Sequence, residues 1–552
     1  MTTPNPALVA QRAAARLPRM ALLLLCAAWV LPGVFGRDPW RNADLTAFGV
    51  MSALAEGRTS WWQPMLGGVP LDAAPLPHWL GAAFIALLSP LVEPALAARL
   101  PFAALLTLTL ACTWYATFHL ARTEAAQPVP FAFGGEASTV DYARALADGA
   151  LLALVATLGL LQLGHETTPE LVQLFASALL LWALAAAPFR VGRARVGVCA
   201  ALAVLSLSGA PALGLVFGLL GTLACLRSAY PQARSFAAWV AGATALGAVL
   251  ATAAQAWAWR AGFEPDVSQL LQLARQWTWF MWPAWPLALW TLWQWRRQLG
   301  NRHVFVPLSV VVASMAAGVF MGGSDRALLL ALPGLAMLAA FALPTMRRSV
   351  SAALDWFSMC FFTVCALFVW AMYIAMQTGA PAKWAANVAR LAQGFEPAFS
   401  AGDLMLALAG TVAWIALLRW RTGRHRHALW KSLVIPAGGV ALCWLLLMTL
   451  WRPLLDYARS PRAVVERIVP MLQGASCVAT PGFSPVLVAQ FETFARVRVD
   501  ARPQASEPGT TTCPVLMLMT RHQAPATPAG WQLVGTARRP TDRAEIFSVY
   551  RR

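Results

Sequence analysis

The sequence predicts an all-α polytopic membrane protein, with about thirteen transmembrane helices, that ends in a small α/β domain. Three observations carry this expectation. Of the 552 residues, 59% are hydrophobic and only 12% charged, whereas soluble domains average about a quarter charged. Apolar runs of about 17–24 residues, long enough to cross a hydrocarbon core, recur along the chain as far as residue 451. From Arg452 onward the composition turns polar and the apolar runs shorten to strand length.

The long runs fall at 20–35, 98–120, 146–163, 170–188, 194–209, 211–226, 235–258, 279–295, 304–322, 327–344, 353–376, 401–419 and 431–451. A basic, Ala-rich lead with Arg12, Arg16 and Arg19 precedes the first of them. A signal peptide opens in the same way, but no small-residue cleavage pattern follows, so the run reads as an uncleaved first span. Pro211 separates two of the shorter runs.

The formal net charge of +18 calls for no nucleic-acid partner, because it gathers on alternate loops. Counted from a cytoplasmic N-terminus, the inner loops hold Arg190, Arg193 and Arg195, then Arg227 and Arg234, then Arg296, Arg297 and Arg302, then Arg347 and Arg348. The last inner loop holds Arg419, Arg421, Arg424, Arg426 and Lys431. The outer loops, 36–97, 164–169, 260–277, 322–326 and 377–400, are less basic. This is the positive-inside bias. It holds if 78–91, at about fourteen residues short for a span, is a helix lying against the outer face. An odd number of spans then puts the C-terminus outside.

Residues 1–452 thus read as a transmembrane domain with a long first outer loop at 36–97, and 453–552 as a separate outer domain. Within the latter, 461–472 and 485–494 have helical spacing, and 477–480, 497–499 and 514–519 read as strands. The end, 531–538 and 544–550 around Pro540-Thr541-Asp542, reads as a hairpin. Of nine cysteines, seven lie in or beside apolar runs, where a thiol behaves as a small hydrophobe. Cys477 and Cys513 alone fall in the polar segment, and in an oxidising compartment they are expected to form a disulfide rather than stay as free thiols. No C-x-x-C or His-rich tract marks a zinc site.

One early stretch, 36–99, concentrates charge, Trp, Gly and Pro beside the first apolar run. Its carboxylates Asp38, Asp44, Glu56 and Asp72 suit a substrate or ion site at a membrane face. A solvated loop with a belt of interfacial Trp residues, Trp61 and Trp62 among them, fits the same residues.

Three motifs shift that balance. Arg37-Asp38-Pro39-Trp40-Arg41-Asn42-Ala43-Asp44 resembles the R-D-E-x-R-Y-A-E opening of GT-C glycosyltransferases of the protein O-mannosyltransferase and lipid A 4-amino-4-deoxy-L-arabinose transferase type. About thirty residues on, Gly68-Val69-Pro70-Leu71-Asp72-Ala73-Ala74-Pro75-Leu76-Pro77-His78-Trp79-Leu80 resembles their G-x-P-Y-x-E-K-P-P-L-Y-Y-W-L. Ala98-Arg99-Leu100-Pro101-Phe102-Ala103 resembles V-R-L-P-S-A. The resemblance implies an integral-membrane enzyme of the bacterial inner membrane, with its C-terminal domain in the periplasm. Such an enzyme moves a sugar with inversion from a polyprenyl-phosphate donor to a lipid, glycan or protein acceptor. Lipid A modification and other cell-envelope chemistry fall in this class.

Carried onto this chain, the resemblance makes Asp38 the base that deprotonates the acceptor and Asp44 the later acid of the same motif. An Asp before Pro is also a good helix-capping pair, so Asp38 can serve a helix as well, and Asp44 can be a solvated residue further along it. Arg99 matches the Arg of R-L-P-S-A and implies a donor-phosphate contact, snorkelling to the headgroups being the alternative. Gly323-Ser324-Asp325-Arg326 with Leu332-Pro333 resembles S-x-S-K-L-P, which makes Arg326 a second phosphate contact or else a partner of Asp325.

The chain also departs from the pattern. Pro39 replaces the Glu of a paired-carboxylate motif, and Ala73-Ala74 replaces its Glu-Lys. Asp72 and His78 can stand in for a lost substrate or metal contact. In Gly164-His165-Glu166-Thr167-Thr168-Pro169-Glu170, where relatives carry T-T-D, Glu166 or Glu170 must replace the acid. Glu264 and Asp266 fall where relatives have another outer amphipathic segment. The sequence leaves the cofactor unknown, a divalent metal included. A flippase for a lipid-linked sugar would place charges mid-span and break matched helices. A non-catalytic scaffold would tolerate the lost motif residues.

Overall fold

Each of the thirteen apolar runs overlaps at least one helix among the described residues. The computed structural model describes residues 5–72, 74–257, 262, 266–321, 324–422, 428–506, 511–522 and 527–552. Among these, eight helices are long and apolar enough to cross a bilayer: Pro94–Ala121, Pro169–Ala186, Pro231–Ala253, Arg302–Phe320, Asp325–Thr345, Arg348–Thr378, Ala401–Thr422 and Lys431–Leu450. The other runs hold shorter or more polar helices, such as Arg19–Val30, Val191–Leu207, Pro211–Leu226 and Ala284–Gln294. The protein is a multi-pass membrane protein. It divides into two compact units. One comprises Met1–Pro32, Phe102–Leu367 and Leu406–Leu446, the other Gly33–Pro101, Phe368–Met405 and Leu447–Arg552.

In the first unit, Pro169, Pro211 and Pro231 each open a helix, where the missing N–H would have had no intrahelical partner. The run expected at 146–163 is not one span. Its helix begins at Thr139, where Ser138 Oγ caps the Asp141 N–H at 3.2 Å, and it breaks at Thr157 before a short helix, Leu158–Leu163. The break leaves the Leu158 N–H to donate to the Trp282 carbonyl at 3.0 Å instead of to its own helix. The run expected at 279–295 is likewise divided, between the helices Val267–Phe280 and Ala284–Gln294. Helix Thr139–Ala156 is buried along most of its length, as an apolar helix enclosed by others must be. A Cβ on Gly149 would lie 2.5 Å from Leu343 Cδ1, so a larger residue there would make the Leu343 side chain move. By contrast Leu406, Leu408, Val412 and Ile415 of Ala401–Thr422 stand exposed. In a bilayer such a face meets lipid.

In the second unit the loop that follows the first apolar run and the C-terminal residues share one hydrophobic core. Leu45, Val50 and Leu54 of helix Ala43–Ala55 and Ala82 of helix Pro75–Leu88 cluster with Val465, Ile468, Phe491, Val515 and Phe547. The contact is close: a Cβ on Gly49 would sit 2.6 Å from Ala489 Cβ in helix Pro485–Phe494. Between the two loop helices, β1 (Met65–Leu66) and β2 (Val69–Pro70) form a hairpin. Its turn, Gly67-Gly68, has φ of +59° and +76° at both positions, which only glycine adopts without strain. The Gly67 carbonyl accepts the Ala501 N–H at 2.8 Å and so ties the hairpin to the C-terminal segment.

The C-terminal elements follow the sequence closely. Helices Arg462–Leu472 and Pro485–Phe494 accompany β3 (Cys477–Ala479), β4 (Arg498–Asp500), β5 (Val515–Arg521), β6 (Gln532–Arg539) and β7 (Asp542–Arg551). The sheet order is β4-β3-β5-β7-β6. β3 pairs in parallel with β4 and β5, and β7 pairs antiparallel with β5 and β6. Helix Pro485–Phe494 makes the crossover that two parallel strands require. Cys477 and Cys513 are disulfide-bonded across 5.1 Å between Cα atoms. Helix Arg452–Arg459 was not expected from the sequence.

Candidate functional site

In the second unit, the residues of the first motif meet the stretch that follows the last apolar run. Asp38 caps no helix. It lies in a segment without regular secondary structure, and the helix begins only at Ala43, after Asn42 turns through φ +77°. Its carboxylate is clasped instead. Arg462 donates Nη2 to Oδ1 at 2.6 Å and Nε to Oδ2 at 2.8 Å, and Ser460 Oγ donates to Oδ2 at 2.8 Å. The Arg462 side chain remains 49% exposed and that of Asp38 15%. The paired carboxylate raises the Arg462 pKa further, its hydrogen bond being the largest influence.

Asp44 is not a solvated residue. It sits in the first turn of its helix, where the helix dipole favours an acid. Its Oδ2 accepts the Trp40 N–H at 3.1 Å and Arg37 Nη2 at 3.3 Å. The Arg37 guanidinium lies 4.4 Å from the centre of the Trp40 ring and that of Arg459 lies 5.0 Å from it, both within range of cation–π attraction. The Trp40 indole N–H donates to Asp456 Oδ1 at 2.7 Å. Burial, assisted by the Asp38 charge, pushes the Asp456 carboxyl up to about 6.

Arg99 is buried beside this group. Its Nη1 donates to the Val34 carbonyl at 3.4 Å, and its Nη2 has no hydrogen-bond partner among the described residues. The charges of Arg37, Asp44, Asp456 and Asp38 all act on it. Its guanidinium is held inside the unit and does not snorkel. Three carboxylates thus stand among Arg37, Arg99, Arg459 and Arg462.

Asp72 is exposed ahead of helix Pro75–Leu88. His78 is buried in that helix's first turn, with Nδ1 2.6 Å from the Ala74 carbonyl. Trp61 and Trp62 frame Trp79: the Trp61 carbonyl accepts its indole N–H at 2.7 Å, and the Trp62 ring meets its ring edge-on at 5.0 Å.

The first unit holds a separate polar group. Arg326 donates Nη2 to Glu166 Oε2 at 2.8 Å and faces Glu170 Oε2 at 3.5 Å. Gln162 Nε2 donates to the other oxygen of Glu166 at 2.9 Å. The partners of Arg326 are therefore Glu166 and Glu170. His165 is bracketed by the Leu161 carbonyl at 2.7 Å and the Trp29 carbonyl at 2.9 Å. Asp266 bonds Ser268 at the start of helix Val267–Phe280; Glu264 lies outside the described residues, as do Ala73, Gly323, Arg424 and Arg426.

Two solved structures share this architecture. ArnT from Cupriavidus metallidurans bound to undecaprenyl phosphate matches with a TM-score of 0.61 and 14% identity, over 96% of this chain and 98% of that one. The apo form of the same protein matches with a TM-score of 0.57 at 14% identity, over 96% of each chain. The chain has the GT-C fold. No protein-family model matches it, and no curated protein does. At this identity the GT-C fold fixes the architecture and leaves individual residue roles to the geometry of this chain.

Among the described residues no three His, Cys, Asp or Glu side chains come together as a metal would need. Asp72 and His78 do not form such a set. Sequence reading missed Asp456, Arg459, Ser460 and Arg462. A signal was present: Arg-Pro-Leu-Leu-Asp-Tyr-Ala-Arg follows the last apolar run directly, and charge placed at a membrane face marks functional sites.

Proposed function

We propose that the chain is an integral-membrane glycosyltransferase that moves a sugar from a polyprenyl-phosphate donor to a lipid, glycan or protein acceptor on the outer face. The reading rests on one arrangement: on a GT-C fold, Asp38, Asp44 and Asp456 stand among Arg37, Arg99, Arg459 and Arg462 within one compact unit. ArnT, of the same fold, has been solved with undecaprenyl phosphate, which supports a donor of that class.

In this reading the acceptor oxygen attacks C1 of the sugar and the bond from C1 to the lipid phosphate breaks, with inversion. Asp38 takes the acceptor's proton, and polyprenyl phosphate leaves. Arg99 stabilises the negative charge that grows on the departing phosphate, the task of an electrostatic clamp, and Arg326 is a separate candidate for a phosphate contact. Arg99 suits its role through an Nη2 that has no hydrogen-bond partner among the described residues; Arg326 must first loosen from Glu166 and Glu170. The N-terminus is cytoplasmic and the C-terminal α/β elements are periplasmic, in a bacterial inner membrane.

The test is transfer of labelled sugar from undecaprenyl-phosphate donors in membranes that carry the wild type or Asp38→Asn. Loss of transfer by about a hundredfold or more at unchanged protein level is expected. Equal transfer by both would remove Asp38 as the base.

A further inference from the structure

The proposed base is not free to act as it stands. Both oxygens of Asp38 are engaged, by the two prongs of the Arg462 guanidinium and by Ser460. A carboxylate has about four lone-pair sites, and Arg462 and Ser460 take three of those on Asp38, so an approaching hydroxyl has to compete with donors already bound. Arg462 is the more exposed partner and lies at the very start of helix Arg462–Leu472, so it can swing without unwinding the helix. Its guanidinium also rests 4.9 Å from the centre of the Phe494 ring. A neutral hydroxyl cannot compete with a carboxylate for a guanidinium fork; another planar or tetrahedral anion can.

We infer that Arg462 selects an acceptor that carries a phosphate or carboxylate group, and that engaging this group draws Arg462 off Asp38 and frees the base. The inference rests on the glycosyltransferase reading and adds to it a residue that ties base activation to acceptor binding. In the resting state the pair suppresses the wasteful reaction, in which water attacks C1, the C1–phosphate oxygen bond breaks, and free sugar and polyprenyl phosphate result. Acceptor binding exchanges one anion for another on Arg462, and Asp38 then receives the proton of the attacking hydroxyl.

The experiment compares wild type, Arg462→Gln and Arg462→Lys in detergent or nanodiscs. Binding of a phosphorylated glycolipid and of its phosphatase-treated form is measured first. The wild type should prefer the phosphorylated form, and Arg462→Gln should lose about ten- to hundredfold of that preference. Arg462→Lys, which keeps the charge without the fork, should fall between. With an undecaprenyl-phosphate sugar donor and no acceptor, Arg462→Gln should release free sugar faster than the wild type, while its acceptor KM rises.

A preference for the phosphorylated form that survives in Arg462→Gln would overturn the assignment. So would a uniform fall in kcat with acceptor KM and sugar release unchanged, which is what a merely structural Arg462 would give. If the wild type transfers nothing from any donor, the enzyme reading fails by itself. The binding comparison still decides whether Arg462 recognises the anion.

Discussion

Arg37 and Asp44 form an ion pair at 3.3 Å with side chains almost wholly out of solvent, 0% and 2% exposed. Asp38, six residues before Asp44, pairs instead with the half-exposed Arg462. The two acids of one motif therefore do different work. Removing one partner of a buried pair leaves a charge stranded, at a cost of about 3–5 kcal/mol, while an exposed pair contributes about 0–1 kcal/mol. Asp44→Asn should lower the thermal or denaturant midpoint sharply. Asp38→Asn should lower it less and abolish transfer. Equal stability of the two variants would contradict this division.

Asp456 gives the second unit a pH dependence. Its carboxyl is raised from the ordinary range, near 4, to about 6, chiefly by burial. A raised carboxylate pKa means that the folded state holds the proton more tightly than the unfolded one. This contribution to stability is full below the unfolded value and is lost as pH rises through about 6. Thermal midpoints of the detergent-solubilised protein should thus decline between about pH 4 and pH 7, and Asp456→Asn should flatten that decline. Trp40→Phe removes the indole donor to Asp456 and should move the midpoint of the decline to higher pH. An unchanged slope in Asp456→Asn would assign the dependence elsewhere.

The thirteen apolar runs and the C-terminal strands were legible because each rests on local pattern: a run of bilayer length, an alternation, a turn. Helix Pro485–Phe494 lies where its spacing put it. The partnership of the loop after the first apolar run with the C-terminal sheet was not legible. Leu45 and Phe547 share a core, yet nothing in either stretch announces the other, because hydrophobic packing is not directional. For the same reason Asp38 was visible in its motif and Arg462, 424 positions away, was not. The division at Thr157 escaped notice because Leu158 finds its acceptor in the distant Trp282.

That shared core is testable at one glycine. An added Cβ at Gly49 would meet Ala489 at 2.6 Å from its Cβ and 3.2 Å from its Cα. Neither atom belongs to a flexible side chain, so helix Ala43–Ala55 must shift away from helix Pro485–Phe494. Gly49→Ala should destabilise by about 1–3 kcal/mol, the usual cost of overpacking, although alanine is the better helix former. Limited proteolysis should open the loop at 56–74 first. A Gly49→Ala protein as stable as the wild type would show that the two helices are not in contact.

Arg326 offers a choice between a phosphate contact and a structural ion pair. Its two carboxylate partners outnumber it, so an incoming phosphate meets a locally acidic group unless Arg326 moves. As a donor contact, Arg326→Gln should raise the donor KM about tenfold or more, and Glu166→Gln should lower it by releasing the guanidinium. As a structural pair, both substitutions should destabilise the protein with KM unchanged, and the double variant should cost less than their sum. A double-mutant cycle read in both donor KM and thermal midpoint separates the two outcomes.

The disulfide reports both stability and compartment. Cys477 and Cys513 are 36 positions apart, and tethering a loop of that length restrains the unfolded chain by about 3–4 kcal/mol. The bond joins β3 to the residues that lead into β5, two strands paired in register at Val478 and Val515. Its loss should therefore loosen the centre of the sheet and not an edge. Cys477→Ser with Cys513→Ser should lower the midpoint of the C-terminal elements, with the helical signal of the spans retained. The same bond provides a topology test, since the positive-inside alternation puts these residues outside and disulfides persist in the periplasm. Alkylation of the protein as isolated, before and after reduction, should show Cys477 and Cys513 protected only in the unreduced sample. Free thiols at both positions in freshly prepared membranes would place the C-terminal elements in the cytoplasm and reverse the predicted orientation of the chain.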